Sequence, residues 1–519
     1  MNTTIYDIYL DANATSPVLP AAAAAVAQAL GATFGNPSST HSAGLCARAL
    51  LDATRARARR AIGAGDGQLS FTSGATESIH TAVLSALCAL RERRAAGLPC
   101  GDLLLYGATE HKAVPESLAH WNRLLGTGCE LRALPVDGAG RHRLDVLRQL
   151  APRAALVCTM AANNETGVVS DLDGIGAVLD ESGGSALWLV DCVQALGKLA
   201  LNLCATRIDY APFSGHKLYA PKGVGMLYVR AGAPYTPLMT GGGQEAGQRA
   251  GTENMAGIAA LGAVLAALEE GGTFRTHEQM LGYRARLAEA LREAFPGLVF
   301  NAPFEHALPT TLNFSVPGLA SGALLNLFDA AAVHLSAGSA CSAAQAAPSY
   351  VLAAMGLPDW RAASALRLSF GALADDAMID AACERIARCG QALRSVPAPE
   401  GAPMAAPAAD PDAPALGPER HLDRAAVERL LAQYPDTLLV DVREAAEHAA
   451  CAHPFAARAA LNLPLSHLDQ QLPAWLRQQT RRPVVFFCRS GNRSASAAQR
   501  LQQVGYLEVW HLAGGLALA

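Results

Sequence analysis

The sequence predicts an α/β chain in two unequal parts, each built on a mostly parallel sheet covered by helices. Three observations carry this reading. Short, uncharged apolar runs alternate with longer stretches whose apolar residues recur three and four apart. The same alternation restarts near the C-terminus. Between the two lies a Pro- and Ala-rich stretch with too few large apolar side chains to bury a core.

In chain order, Arg48–Ala64 reads as a helix, and Leu103–Tyr106, Ala155–Cys158 and Leu187–Val190 read as buried strands. Gly225–Val229 is a further strand behind a polar turn, and Arg284–Ala294 is helical. The run SVPAPEGAPMAAPAADPDAPALGPE, residues 395–419, is the linker. It separates a domain of residues 1–394 from one of residues 420–519, as a chain of 519 residues requires. In the second domain Thr437–Val442 and Val484–Phe487 are strand-like and Arg493–Val504 is helical. Such an alternation puts the loops that carry chemistry at the C-terminal ends of the strands.

Hydrophobic residues at 51% and charged residues at 17% describe a folded soluble chain. A net charge of −4 gives no basis for direct nucleic-acid or acidic-membrane binding. The N-terminus lacks a basic start followed by an apolar run, so no signal peptide is expected. The uncharged stretch Leu335–Pro358 is too rich in Ser, Gly, Gln and Pro for a membrane span. Twelve cysteines without Cys-x-x-Cys spacing read as thiols in a reducing compartment, with no metal site, and a cytoplasmic location is expected.

Lysine is scarce: Lys112, Lys198, Lys217 and Lys222 are the only four. Only lysine can form a Schiff base with an aldehyde cofactor, since arginine stays protonated. Lys217 follows the turn Ser214-Gly215-His216, whose polar side chains suit a phosphate. Ser73-Gly74-Ala75-Thr76 opens a helix after a short strand, a second phosphate-binding arrangement. Asp191 ends a strand where its carboxylate could pair with a protonated ring nitrogen, and His111 follows another strand where it could stack on a ring. Each has a plainer reading as a surface lysine or a helix cap. Four such residues at successive strand ends point to one site.

With these residues in place, the chain from about Ile5 to Arg394 resembles the cysteine desulfurases of the NifS/IscS type, class-V aminotransferase-like enzymes. The resemblance rests on YLDANATSP, FGNPSSTHSAG, FTSGATESIH, TEHKAV, NNETGVV, VDCVQALGK, SGHKLYAPKGVG, RAGTEN, SAGSACSAA and LRLSFG. It implies a fold-type I pyridoxal-phosphate transferase, a large mixed-sheet domain plus a small α/β domain. Lys217 would carry pyridoxal 5'-phosphate, His111 would stack on its ring, Asp191 would hold the ring nitrogen and Gln194 the phenolic oxygen. Ala75, Thr76, Ser214 and His216 would bind the phosphate, and Thr252 would reach the neighbouring subunit's phosphate in a homodimer. Asn164 and Arg367 would hold the carboxylate of L-cysteine, Arg367 through a two-pronged fork. Cys341 would take the substrate sulfur as a persulfide, with Lys217 and His111 moving protons. It lies in Ser336-Ala337-Gly338-Ser339-Ala340-Cys341-Ser342-Ala343-Ala344, a run of small residues that suits a swinging loop.

The second domain resembles a small α/β rhodanese, a sulfurtransferase. Its signature is Cys488-Arg489-Ser490-Gly491-Asn492-Arg493, behind DVRE and NLPL. Four residues between Cys488 and Arg493 fit a sulfurtransferase loop; related phosphatases have one more. Two departures stand out. Ala450–Leu461 lacks the usual Gly-His-Ile-Pro-Gly-Ala, for which His453-Pro454 could substitute, and the chain stops at GGLALA without the usual final helix. The expectation is that Cys488 accepts sulfur from Cys341 and hands it to an acceptor protein, such as an iron–sulfur scaffold or a sulfur carrier. Two other readings stand beside it. The first domain could be a different pyridoxal lyase or aminotransferase, and the second could be a docking module that moves no sulfur.

Overall fold

The computed structural model describes residues 7–338, 348–395, 416–451, 455, 458–470 and 482–518. Cys341, most of the linker and His453-Pro454 lie outside the described residues.

A seven-stranded mixed sheet forms the large domain. Its order is Gln68–Thr72, Gly225–Val229, Tyr210–Ser214, Leu187–Asp191, Ala154–Met160, Leu103–Gly107 and Glu130–Leu134. Gly225–Val229 runs antiparallel to both neighbours and the remaining pairs are parallel. Side chains alternate between two cores: Leu103, Leu105, Val157, Trp188 and Val190 face one, and Leu104, Leu156, Cys158 and Leu189 the other. Burial on both faces is why these strands read as unbroken apolar runs. The helix at Arg48 begins earlier, at Ser42, because His41 caps it by accepting from Gly44 N.

Close backbone approach fixes the sheet's active edge. A Cβ on Gly225 would lie 2.7 Å from Gly74 Cα, so a side chain there would push away the start of the helix Ala75–Ala95.

The small subdomain is a three-stranded antiparallel sheet, Leu366–Ser369, Thr311–Ser315 and Val299–Phe300, backed by the helices His277–Ala294 and Asp376–Ser395. A capping box of Thr276 and Gln279 starts the first of these helices. The N-terminal strand Ile8–Tyr9 pairs in parallel with Val333–His334, so the segment that follows it passes between the two subdomains.

The C-terminal domain is a five-stranded parallel sheet, ordered His421–Leu422, Val509–Leu512, Val484–Phe487, Leu438–Asp441 and Leu461–Asn462. Separate apolar clusters fill its two faces. Its helix Ala445–Ala450 lies against Ser321–Ala330 and Asp376–Ser395, and Ala450 is buried in the small subdomain's core.

Candidate active site

The parallel strands deliver their C-terminal ends to one edge. Asp191 closes its strand, Ser214 closes the next, Gly215–Lys217 form a single 3-10 turn, and the helix Ala75–Ala95 starts there too. Gly74 precedes that helix and no side chain caps it, which leaves its first N–H groups and Thr76 available to an anion. Nothing lies within 4 Å of where a Gly74 Cβ would be, so the space in front of the helix is open.

Asp191 is buried and its Oδ1 accepts from Val193 N at 2.9 Å, which makes it a turn carboxylate and not a helix cap. Burial pushes Asp191 up, against the pull of that N–H, His111 and Lys217. Burial pushes His111 down, with Asp191 opposing and Lys217 reinforcing the shift. These three groups therefore share one electrostatic neighbourhood. His216 falls to about 4 through burial and the Lys217 and Lys222 cations, and its Nδ1 lies 3.1 Å from Thr15 Oγ1.

The segment Asp11–Ser16 ties the site together, a part the sequence reading quoted without assigning a role. Lys217 Nζ donates to the carbonyls of Asn13 at 2.7 Å and Ala14 at 2.5 Å. Gln194 Nε2 donates to Asn13 O at 3.1 Å, while Lys198 Nζ donates to Gln194 Oε1 and Asn13 Oδ1. Burial and the nearby Lys217 and Arg367 cations push Lys198 down to about 7. Arg367 is 1% exposed, and its fork is engaged by Asp11 Oδ1 at 2.6 Å and Asn164 O at 3.0 Å. It thus meets Asn164 through that residue's backbone carbonyl, and a substrate carboxylate would compete with Asp11.

Both roots of the segment 339–347, which carries Cys341, are anchored. Ser336 Oγ donates to Asp11 Oδ2 at 2.8 Å, and Ser349 Oγ donates to buried Glu165 Oε2 at 2.7 Å. Asp11 and Glu165 are positioning residues that local pattern does not reveal, because their partners lie far off in sequence. Thr252 lines a cavity of about 170 Å³ with Thr72, Ser73 and Arg249, beside the start of the helix Ala75–Ala95.

In the C-terminal domain Cys488 is fully buried at the end of Val484–Phe487. Its Sγ accepts from Gly491 N at 3.2 Å and Ser494 N at 3.4 Å, at the start of the helix Asn492–Gln503. Gly491 turns the loop with φ of 88°. Ser490 and Asn492 are exposed at its rim. Arg493 is gripped by Glu447 through two bonds of 2.7 and 2.8 Å, which keep it above its usual value against burial. Arg489 turns outward to Asp329 of the small subdomain. A hydrogen-bonded line leads away from the thiol. Ser494 Oγ is 3.5 Å from Cys488 Sγ and 3.3 Å from His511 Nδ1, and His511 Nε2 is 2.7 Å from Nδ1 of exposed His421.

The short C-terminus still supports this loop. Leu516 N donates to Cys488 O and Ala517 N to Arg489 O, each at 2.9 Å. A single turn, Gly515–Ala517, carries these two donors.

Comparison with known proteins now decides the family. Residues 8–381 match the family model "Aminotransferase class-V" and residues 423–518 match "Rhodanese-like domain". The chain belongs to the class-V aminotransferase family. Within it, the chain is a pyridoxal-phosphate-dependent cysteine desulfurase with a rhodanese-like domain. A cysteine desulfurase of Gluconacetobacter diazotrophicus is 39% identical over 375 residues, covering 72% of this chain and 90% of that protein. A solved NifS-like protein aligns with a TM-score of 0.66 and 29% identity, over 75% of this chain and all of that one. A structure described as SspA in complex with cysteine aligns with a TM-score of 0.60 and 27% identity, over 70% of this chain and 99% of that one.

The residues present fit pyridoxal phosphate. An amine, a buried carboxylate and an imidazole lie within electrostatic reach of one another, and the uncapped start of the helix Ala75–Ala95 opens onto free space.

Proposed function

We propose that the chain works as a two-cysteine sulfur relay, in which Cys341 takes sulfur from L-cysteine and Cys488 passes it to an acceptor protein. The observation that carries this reading is the geometry of Cys488, whose Sγ accepts from two backbone N–H groups at a helix start, a cradle that suits a transferred sulfur.

Bound pyridoxal phosphate would supply an electron sink for bonds at the substrate Cα and Cβ. Lys217 would hold the cofactor, Asp191 its ring nitrogen and Gln194 its phenolic oxygen. Thr76, Ser214, His216 and the N–H groups from Ala75 onward would hold its phosphate, joined by Thr252 of a second copy in a homodimer. Arg367 and Asn164 would orient the substrate carboxylate. His111, kept neutral by burial, can take the proton of the substrate thiol. Cys341, as thiolate, attacks the substrate sulfur; an S–S bond forms and the Cβ–S bond breaks. Lys217 returns a proton to carbon and L-alanine leaves. Cys488 thiolate then attacks the outer sulfur of the Cys341 persulfide, and Cys341 departs as thiolate. The last transfer repeats this step on an iron–sulfur scaffold or sulfur carrier in the cytoplasm.

The test is mass-spectrometric mapping of persulfides after a brief exposure of the holoenzyme to L-cysteine without reductant. Label on Cys341 followed by Cys488 is expected. Label confined to Cys341 ends the relay and leaves the C-terminal domain a docking module.

A further inference from the structure

We infer that Arg489 and Asp329 form a clasp that docks the rhodanese loop onto the desulfurase of its own chain, so that Cys488 is loaded within one subunit. This rests on the relay reading and adds the surface that makes it directional.

The clasp follows Cys488 directly in sequence. Arg489 Nε lies 2.5 Å from Asp329 Oδ2 and Nη2 lies 3.0 Å from Oδ1, with Nη1 3.4 Å from Asn326 Oδ1. A two-pronged guanidinium–carboxylate pair fixes direction as well as distance. Asp329 is largely shielded, with a side chain 16% exposed. Burial works against its carboxylate, yet bonds from His334 and Arg489 hold it below the usual range.

An exposed ion pair alone would dock nothing. Here a second contact acts with it. The helix Ala445–Ala450 buries Ala450 in the small subdomain's core, with Ala446 packed alongside. Glu447 of that same helix grips Arg493. The loop is therefore held at both ends: Arg489 reaches the desulfurase directly, and Arg493 reaches it through a helix that is itself docked.

The location gives the clasp its meaning. Asp329 sits at the end of Ser321–Ala330, which leads into the strand Val333–His334. His334 Nδ1 lies 3.2 Å from the same carboxylate, and Ser336, two residues on, is pinned to Asp11 beside Arg367. The rhodanese loop thus docks where the chain leaves for the residues that carry sulfur out of the cofactor pocket.

The experiment uses full-length holoenzyme with Asp329→Asn, which keeps the shape and removes the charge. After an L-cysteine pulse, persulfides are mapped, and alanine release is followed with a thiol reductant. Asp329 lies outside the cofactor pocket, so alanine release stays as in the parent. Cys488 loading is expected to slow by about tenfold or more as effective concentration is lost. Pairing Asp329→Arg with Arg489→Asp is expected to restore it. Unchanged loading in Asp329→Asn overturns the clasp. Co-expressed Cys341→Ser and Cys488→Ser chains separate the two routes: no label on Cys488 supports loading within one chain, and label there overturns it. Hydrogen exchange across residues 321–330 and 445–450 judges the clasp without any sulfur transfer. Faster exchange in Asp329→Asn supports it and unchanged exchange overturns it. Should Cys488 stay unlabelled in the parent protein too, the relay reading fails, and exchange alone decides the clasp.

Discussion

Glu447 and Arg493 meet across 46 residues of chain, one nearly buried and the other three-quarters enclosed. Replacing Glu447 by Gln leaves a shielded guanidinium with only a neutral acceptor. Breaking one partner of such a pair costs about 2–3 kcal/mol, at the lower end because Arg493 keeps some contact with water. Glu447→Gln should lower the unfolding midpoint of the rhodanese domain accordingly, read by denaturant titration. It should also loosen the Cys488 loop, read as faster alkylation of Cys488 by iodoacetamide. The cysteine loop was legible in the sequence because all its residues are contiguous. The Glu447–Arg493 pair was not legible, since an ion pair at that separation leaves no periodic or local signature. The places of Lys217, Asp191 and His111 were legible for a different reason: Asp191 ends a strand and the other two closely follow one, and strand ends can be read from apolar runs. Asp11, Asn13, Glu165 and Asp329 sit in segments whose local pattern gives no hint of the distant groups they hold.

At the scale of elements, the strands of the large sheet were the clearest feature, because burial on both faces leaves their apolar runs uninterrupted. Helix starts were harder. Ser42 is preceded by His41, which is not a common capping residue, so the pattern became visible only at Arg48. The short strands of the small subdomain, two to five residues each, carry too few positions for alternation to register. The chain's last turn held the largest surprise. Leu516 and Ala517 donate directly to the loop carbonyls of Cys488 and Arg489, a role that nothing in their local pattern announces. Ending the chain after Gly514 should therefore unseat that loop. The expected result is a Cys488 thiol open to alkylation, with the desulfurase domain's alanine release retained.

Across the whole molecule, the meeting of the two domains draws on the ionised Asp329 carboxylate, which Arg489 grips from the other domain. The hydrogen bond to Asp329 raises His334 above its ordinary value, with Asp7 assisting and burial opposing. A raised histidine stabilises the fold of the first domain below its ordinary pKa, and that contribution is lost as pH climbs through the raised value. Asp329 is lowered, so its contribution is present above the ordinary carboxylate range and is lost as pH falls through its folded value. Protection of residues 445–450 from hydrogen exchange, corrected for intrinsic rates, should hold at neutral pH and fall on the acid side as Asp329 takes up a proton. His334, whose partners Asp329 and Asp7 both lie in the first domain, should leave that profile unchanged when replaced by Gln. Arg489, Asp7 and Asp329 are the charges that His334 and the clasp present to one another.

The line from Cys488 through Ser494 and His511 to His421 has a consequence for how sulfur is kept. Burial and the neighbouring His421 hold His511 down to about 4, so its ring is neutral at physiological pH, able to accept on one nitrogen and donate on the other. A proton can leave the thiol along this line while the sulfur itself stays out of contact with water. While the loop is shut, the wall around Cys488 passes charge and excludes small thiols such as glutathione. In the proposed relay the loop therefore has to open twice, once for the Cys341 persulfide and once for the acceptor, and burial shields the sulfur between those events.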